Sequence, residues 1–229
     1  GDAQRAVAGS ALQPFVVTVR DAGNNPVQGF AVGFAVATGG GQLSATSVTT
    51  DAQGNAATIL TLGATAGTNT VTVTAPGLTG SPRTITATGI AGAATTLVLE
   101  SGNNQNGVVG TALAQPLSLR VTDANGNPIS AHTVTFAVSA GGGTLSATSV
   151  MTDNAGRAQA GLTLGAAVGQ NTVTANAPGL GGSPATFSAQ ATAAAASGIA
   201  ATLGNNQTGV AGAALPNAFV VTVTDANNN

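Results

Sequence analysis

The sequence predicts an all-β chain built as a row of small sandwich-shaped repeats. The first observation behind this is a fixed period. Asp21 of RDAGNNPV, Asp123 of TDANGNPI and Asp225 of TDANNN stand 102 residues apart, as do Pro76 and Pro178, and Asp51 and Asp153. The second is apolar alternation of period two, the mark of a half-buried strand. The third is a turn signal between almost every pair of apolar runs, rich in Gly, Asn, Asp and Pro. A period this long exceeds the roughly 20–50 residues of a solenoid coil, so each copy is large enough for its own core.

The elements follow in order along one copy. Leu97 and Leu99 open the complete second copy, with Ile199 in the third. Phe15, Val17 and Val19 then share one face, matched by Leu117, Leu119 and Val121 and by Phe219, Val221 and Val223. Val32, Phe34 and Val36 come next, matched by Val134, Phe136 and Val138, and then Leu60 and Leu62, matched by Leu162 and Leu164. Val71 and Val73 pair with Val173 and Ala175, and Ile85 and Ala87 with Phe187 and Ala189. The runs amount to about seven short strands in roughly 100 residues, the pattern of an immunoglobulin-like sandwich. Ala193 to Ala196 have high helix propensity, but Ser197-Gly198 and the β-branched flanks argue for strand. Residues expected in the core are Phe15, Val17, Phe34, Leu60, Leu119, Phe136, Leu162 and Phe187.

The domains read as 1–92, an immunoglobulin-like domain lacking its first strand; 93–194, a complete one; and 195–229, the opening strands of a third, incomplete one. Gly1 aligns with Gly102 and Gly204, so the first copy has no segment matching Thr95 to Ser101. The chain reads as a window from a longer polypeptide. TATGIAGAATTLVLES joins the copies without a flexible spacer, so an extended array of stiffly coupled neighbours is expected.

VTDANGNPISAHTVTFAVSAGGGTLSATSVMTDNAGRAQAGLTL resembles the group 1 bacterial immunoglobulin-like domain (Big_1), the repeat of the intimin and invasin adhesins. The matching elements are the D-A-x-G/N-N-P turn, the V-x-F-x-V strand, the Gly-rich turn before L-S-A-T, and T-D-x-x-G-x-A. The resemblance covers both full copies and the start of the third. It implies an extracellular stalk on a bacterial surface that holds a binding head away from the outer membrane.

Composition excludes several function classes. Charged residues are 5% of the chain and the net charge is −2, against about 25% charged residues in ordinary soluble domains. The basic residues, Arg5, Arg20, Arg83, Arg120 and Arg157, are scattered singly, whereas nucleic-acid binding needs them clustered against phosphates. No run of about 18 apolar residues marks a membrane span. Without cysteine there are no disulfides or thiolate metal sites. Without lysine there is no Lys–Asn isopeptide cross-link.

No catalytic, cofactor or metal residue is predicted. Asp123, Asn125 and Asn127 alternate like the start of a calcium loop, but Val134 stands where the bidentate glutamate is required. The turn reading has the aspartate bonding local backbone amides. His132 and Glu100 are single residues of their types, so neither a histidine metal set nor a glutamate pair is available. Asp51 and Asp153 are read as hairpin caps. The Gly-rich turns 39–41 and 141–143 lack the lysine and helix of a phosphate cradle and are read as flexible hairpin ends. The sequon Asn206-Gln207-Thr208 has no counterpart in the second copy.

The function expected is therefore a non-catalytic spacer or shaft in a bacterial surface adhesin or extracellular filament. Neighbouring repeats of the same chain are the expected partners, and uncharged strand edges leave lateral or end-to-end self-association open. One alternative is an adhesive module recognising a protein or glycan through its loops, although sugar-stacking Trp and Tyr are absent. Another is a fibre subunit completed by strand exchange, although both open ends already contain the strand around Phe15 and Phe219.

Overall fold

The computed structural model describes the whole chain, Gly1–Asn229, as strands and turns without a helix. Two compact units form. One comprises Gly1–Thr95 with Thr122–Ile129, the other Thr96–Val121 with Ser130–Asn229.

The first unit contains β1 (Gln4–Val7), β2 (Phe15–Thr18), β3 (Ala31–Thr38), β4 (Gln42–Leu43), β5 (Ser47–Thr49), β6 (Asn55–Thr58), β7 (Leu60–Thr61), β8 (Gly67–Thr74) and β9 (Arg83–Ile90). One sheet has the order β1-β9-β8-β3-β5, and the pairs β2-β6 and β4-β7 supply the opposing layer. β1 runs parallel to β9, with Gln4 opposite Ala87, while the other ladders are antiparallel. Alternation places Asn69, Val71 and Val73 of β8 inward. Val71 and Val73 meet Phe15, Val32, Phe34, Leu60 and Ala87 in one apolar cluster drawn from both layers. Full burial of each large apolar side chain contributes about 1.5–3 kcal/mol.

The second unit repeats the plan with β10 (Thr96–Ser101), β11 (Gln105–Val108), β12 (Leu117–Thr122), β13 (Thr133–Ala140), β14 (Thr144–Leu145), β15 (Ser149–Met151), β16 (Arg157–Ala160), β17 (Leu162–Thr163), β18 (Gly169–Asn176) and β19 (Ala185–Thr192). Its large sheet has the order β11-β19-β18-β13-β15. The opposing sheet gains a strand and reads β10-β12-β16. β20 (Ala196–Leu203) and β21 (Val220–Asp225) form a separate two-stranded ribbon. The alanine run is therefore not helical.

The fold is the tandem immunoglobulin-like sandwich expected, with three differences in detail. Strands number nine and ten per repeat rather than about seven, because two- and three-residue edge segments such as β4, β5 and β7 pair separately. Of the expected core residues, Val17 is only half-buried, whereas its counterpart Leu119 is fully buried. Phe219, Val221 and Val223 alternate as strand residues do, yet they are 74%, 56% and 55% exposed. Periodicity decides which side chains share a face, but burial also requires a second layer over that face, and the β20–β21 ribbon has none.

Candidate functional site

The residues that recur with the period build the most organised polar structure in the chain. Each D-A-x-x-N turn is closed by its own backbone. Asp21 N–H donates to Asn25 O at 3.0 Å, and the same bond joins Asp123 to Asn127 and Asp225 to Asn229. The left-handed position is taken by Asn24, Gly126 and Asn228 (φ 65°, 81° and 66°), residue types that tolerate it. The aspartate carboxylate then accepts from the amide four residues on, at 2.8 Å from Asn25, 2.8 Å from Asn127 and 2.9 Å from Asn229.

Two of the three turns do more. In the first unit, Asp123 Oδ2 accepts the Gly92 amide at 2.8 Å. The Asn127 side chain donates to Ala64 O at 2.9 Å and accepts from Ala66 N–H at 2.7 Å, clipping a three-residue stretch of loop at both ends. In the second unit, Asp225 accepts from Ala194 N–H at 2.9 Å, and Asn229 bonds Ala166 O at 2.9 Å and Val168 N–H at 3.0 Å. Asp123 and Asn127 are each 4% exposed, whereas Asp21 and Asn25 are exposed and bond only within their own turn.

Electrostatics follow from these donors. The Asn229 amide and side chain hold the Asp225 carboxyl down at about 2. Asp21 is lowered in the same way by Asn25. Burial pushes Asp123 upward, but donors from Asn127, Gly92 and Asn125 outweigh it and the net shift is downward. Hydrogen bonding to the charged form is the physical cause in each case.

Other recurrent polar residues hold the sandwiches together. Asp51 and Asp153 cap a second turn type, accepting from Gln53 and Asn55 and from Ala155 and Arg157 at 2.8–2.9 Å. Thr50 is buried; it donates to Val27 O at 2.6 Å and accepts from Phe30 N–H at 2.9 Å. Asn69 and Asn171 are each 1% exposed and were not singled out from the sequence. The side chain of Asn171 accepts from Gly165 N–H at 3.1 Å, and a Cβ on Gly141 would overlap it. Gly39 stands against Asn69 in the same way. The Gly-rich turns are therefore close-packed, not flexible ends, and glycine is needed there for the approach. The legible signal was an asparagine recurring at the 102-residue step inside an otherwise apolar and Thr-rich strand.

His132 is half-buried just before β13, where its amide donates to Thr152 Oγ1 at 2.9 Å. Glu100 takes Arg157 at 2.7 and 2.9 Å and Ser118 at 3.1 Å, forming the chain's one salt bridge. No three of its histidine and carboxylate side chains converge as a metal set. No helix is long and apolar enough to cross a membrane.

The model of the bacterial Ig-like domain (group 1) family matches residues 2–90 and again 101–192. The chain belongs to this family and carries two such domains in tandem. Among solved structures, the Escherichia coli adhesin FdeC aligns with a TM-score of 0.63 and 22% identity, over 100% of this chain and 72% of that one. Yersinia pseudotuberculosis InvD aligns with a TM-score of 0.58 and 19% identity, over 98% of this chain and 69% of that one. No curated protein sequence matches. At these identities the likeness is one of fold.

Proposed function

We propose that the chain is a non-catalytic stretch of a bacterial cell-surface adhesin or extracellular filament, acting as a stiff spacer. The observation that carries this reading is the sharing of sequence between units. The compact unit begun by the first repeat is completed by Thr122–Ile129, a turn encoded in the second. Asp225 and Asn229 of the third repeat take the same part in the second unit. Residues of the following repeat thus lie within the compact unit of the preceding one, which suits a shaft built of hydrogen-bonded sheets. Membership of a family found in adhesins supports the surface location. The almost uncharged, Thr- and Asn-rich exterior supports tolerance of varying salt outside a cell.

The experiment is small-angle scattering on the chain and on an Asp123→Ala/Asn127→Ala double variant. A narrow distance distribution that broadens in the variant, with β content retained, is the expected result. A wild-type chain as broadly distributed as the variant would overturn the spacer reading.

A further inference from the structure

Turns of one geometry begin at Asp21, Asp51, Asp123, Asp153 and Asp225. In each, the aspartate N–H donates to the carbonyl four residues on, and the aspartate carbonyl accepts the amide three residues on, at 2.9–3.1 Å. The fourth residue of the turn is Asn24, Gly54, Gly126, Gly156 or Asn228, in the left-handed region at φ 65° to 81°. The residue before it varies: Gly23, Gln53, Asn125, Ala155 and Asn227. Only the Asp123 turn sets an asparagine directly before a glycine.

Asn125 and Gly126 are both exposed, and a Cβ on Gly126 would meet nothing. Gly54 is buried, its carbonyl accepts from Val19 N–H at 2.8 Å, and a Cβ there would run into the Val19 carbonyl. The chain's other Asn-Gly pair is Asn106-Gly107. It lies in β11, in register with Gln190 and Ala191 of β19, and a Cβ on Gly107 would overlap the Leu164 side chain. To bring the Gly107 nitrogen onto the Asn106 side chain, the strand must leave its ladder. The Gly126 nitrogen is held by an exposed turn bond, to Asp123 O at 3.1 Å.

We propose that Asn125 is a self-modification site, at which the chain converts its own asparagine to aspartate and isoaspartate. The Gly126 backbone nitrogen gives its proton to a base in solvent and attacks the Asn125 side-chain carbonyl carbon. The new C–N bond closes a succinimide ring, and the Cγ–Nδ2 bond breaks to release ammonia. Water then opens the ring at either carbonyl, so the chain and water are the only reactants. Glycine suits the step because no side chain shields its nitrogen. Gln53 would have to close a larger ring, and Asn227 is followed by Asn228, whose side chain crowds the nitrogen. The isoaspartyl product routes the main chain through the former Asn125 side chain and lengthens it inside the turn. Asn127 then loses the register that sets its side chain on Ala64 O and Ala66 N–H. The aspartyl product keeps the backbone and only adds a carboxylate in the open.

The test incubates the intact chain in mildly alkaline buffer and follows it by peptide mapping, with isoaspartate-specific enzymatic methylation to separate the two acids. Conversion at Asn125 should run roughly tenfold or more faster than at Asn106, because exposed turns open far more readily than paired strands. Gln53 and Asn227 should stay unconverted over the same time. Amide exchange at Ala66 should rise roughly tenfold in the isoaspartyl fraction, the equivalent of about 1.4 kcal/mol. An Asn125→Gln chain, which copies the Asp51 turn, should show neither change on incubation. No conversion at Asn125, equal conversion at Asn106, or unaltered exchange at Ala66 in the isoaspartyl fraction would overturn the proposal. These three readouts come from the unsubstituted chain, so folding of the variant does not enter them.

Discussion

Replacing Asn127 by alanine isolates the shared turn. Its side-chain amide makes three hydrogen bonds, to Ala64 O, Ala66 N–H and Asp123 Oδ2, at 2.9, 2.7 and 2.9 Å, with the residue 4% exposed. A buried hydrogen bond contributes about 0.5–1.5 kcal/mol net, and a donor or acceptor left dry costs about 1–3 kcal/mol. Ala64 is exposed and Ala66 half-buried, so water reaches part of the vacated space. The expected loss is then about 1–3 kcal/mol in the first unit. Asn25→Ala removes the same side chain from the same turn type where it bonds only Asp21, at 3.1 and 3.3 Å in the open. That variant should cost under about 0.5 kcal/mol, as for an ordinary surface change. Urea denaturation of both variants, with hydrogen exchange at Ala66 as the local readout, makes the comparison. Equal losses from the two substitutions, or an unchanged exchange rate at Ala66, would refute the claim that the loop contacts matter.

Acid should destabilise the chain in a defined window. Asp21, Asp123 and Asp225 are all lowered on folding, so their contribution is complete above the ordinary carboxylate pKa and is lost as pH falls through the folded value. For Asp225 that means a decline between about pH 4 and about 2. A thermal melt series from pH 7 to pH 2 should be flat above pH 5 and fall below it, and less steeply in Asp225→Asn. Phe136 and Phe187 are 2% and 1% exposed, so either change to Ala should cost about 3–5 kcal/mol by chemical denaturation. Gly141→Ala should cost about 2–4 kcal/mol, combining a positive φ of 89° with overlap on Asn171; Gly142→Ala, at φ 67° with open space, should cost about 1 kcal/mol. Similar losses at the two glycines would restore the flexible-end reading.

Local pattern was readable because it is written in neighbouring residues. Alternation placed Phe15, Phe34, Leu60, Leu119, Phe136, Leu162 and Phe187 correctly inside, since a strand side chain's direction depends only on its parity. The aspartate turns were legible for the same reason, because the amides they accept lie two and four residues away. Asn69 and Asn171 were missed because their meaning lies in glycine turns about 30 residues upstream, Gly39 and Gly141, which pack onto them.

The sequence by itself determined the period, the strands, their inner and outer faces, the turns and the family resemblance. Only the tertiary structure decided what each repeat's equivalent positions touch. Asp21 and Asp123 sit in near-identical turns with the same internal bonds, yet Asp123 alone meets Gly92. The physical reason is that parity and turn chemistry act over a few residues, whereas burial and satisfaction of a polar group depend on which distant backbone arrives opposite it.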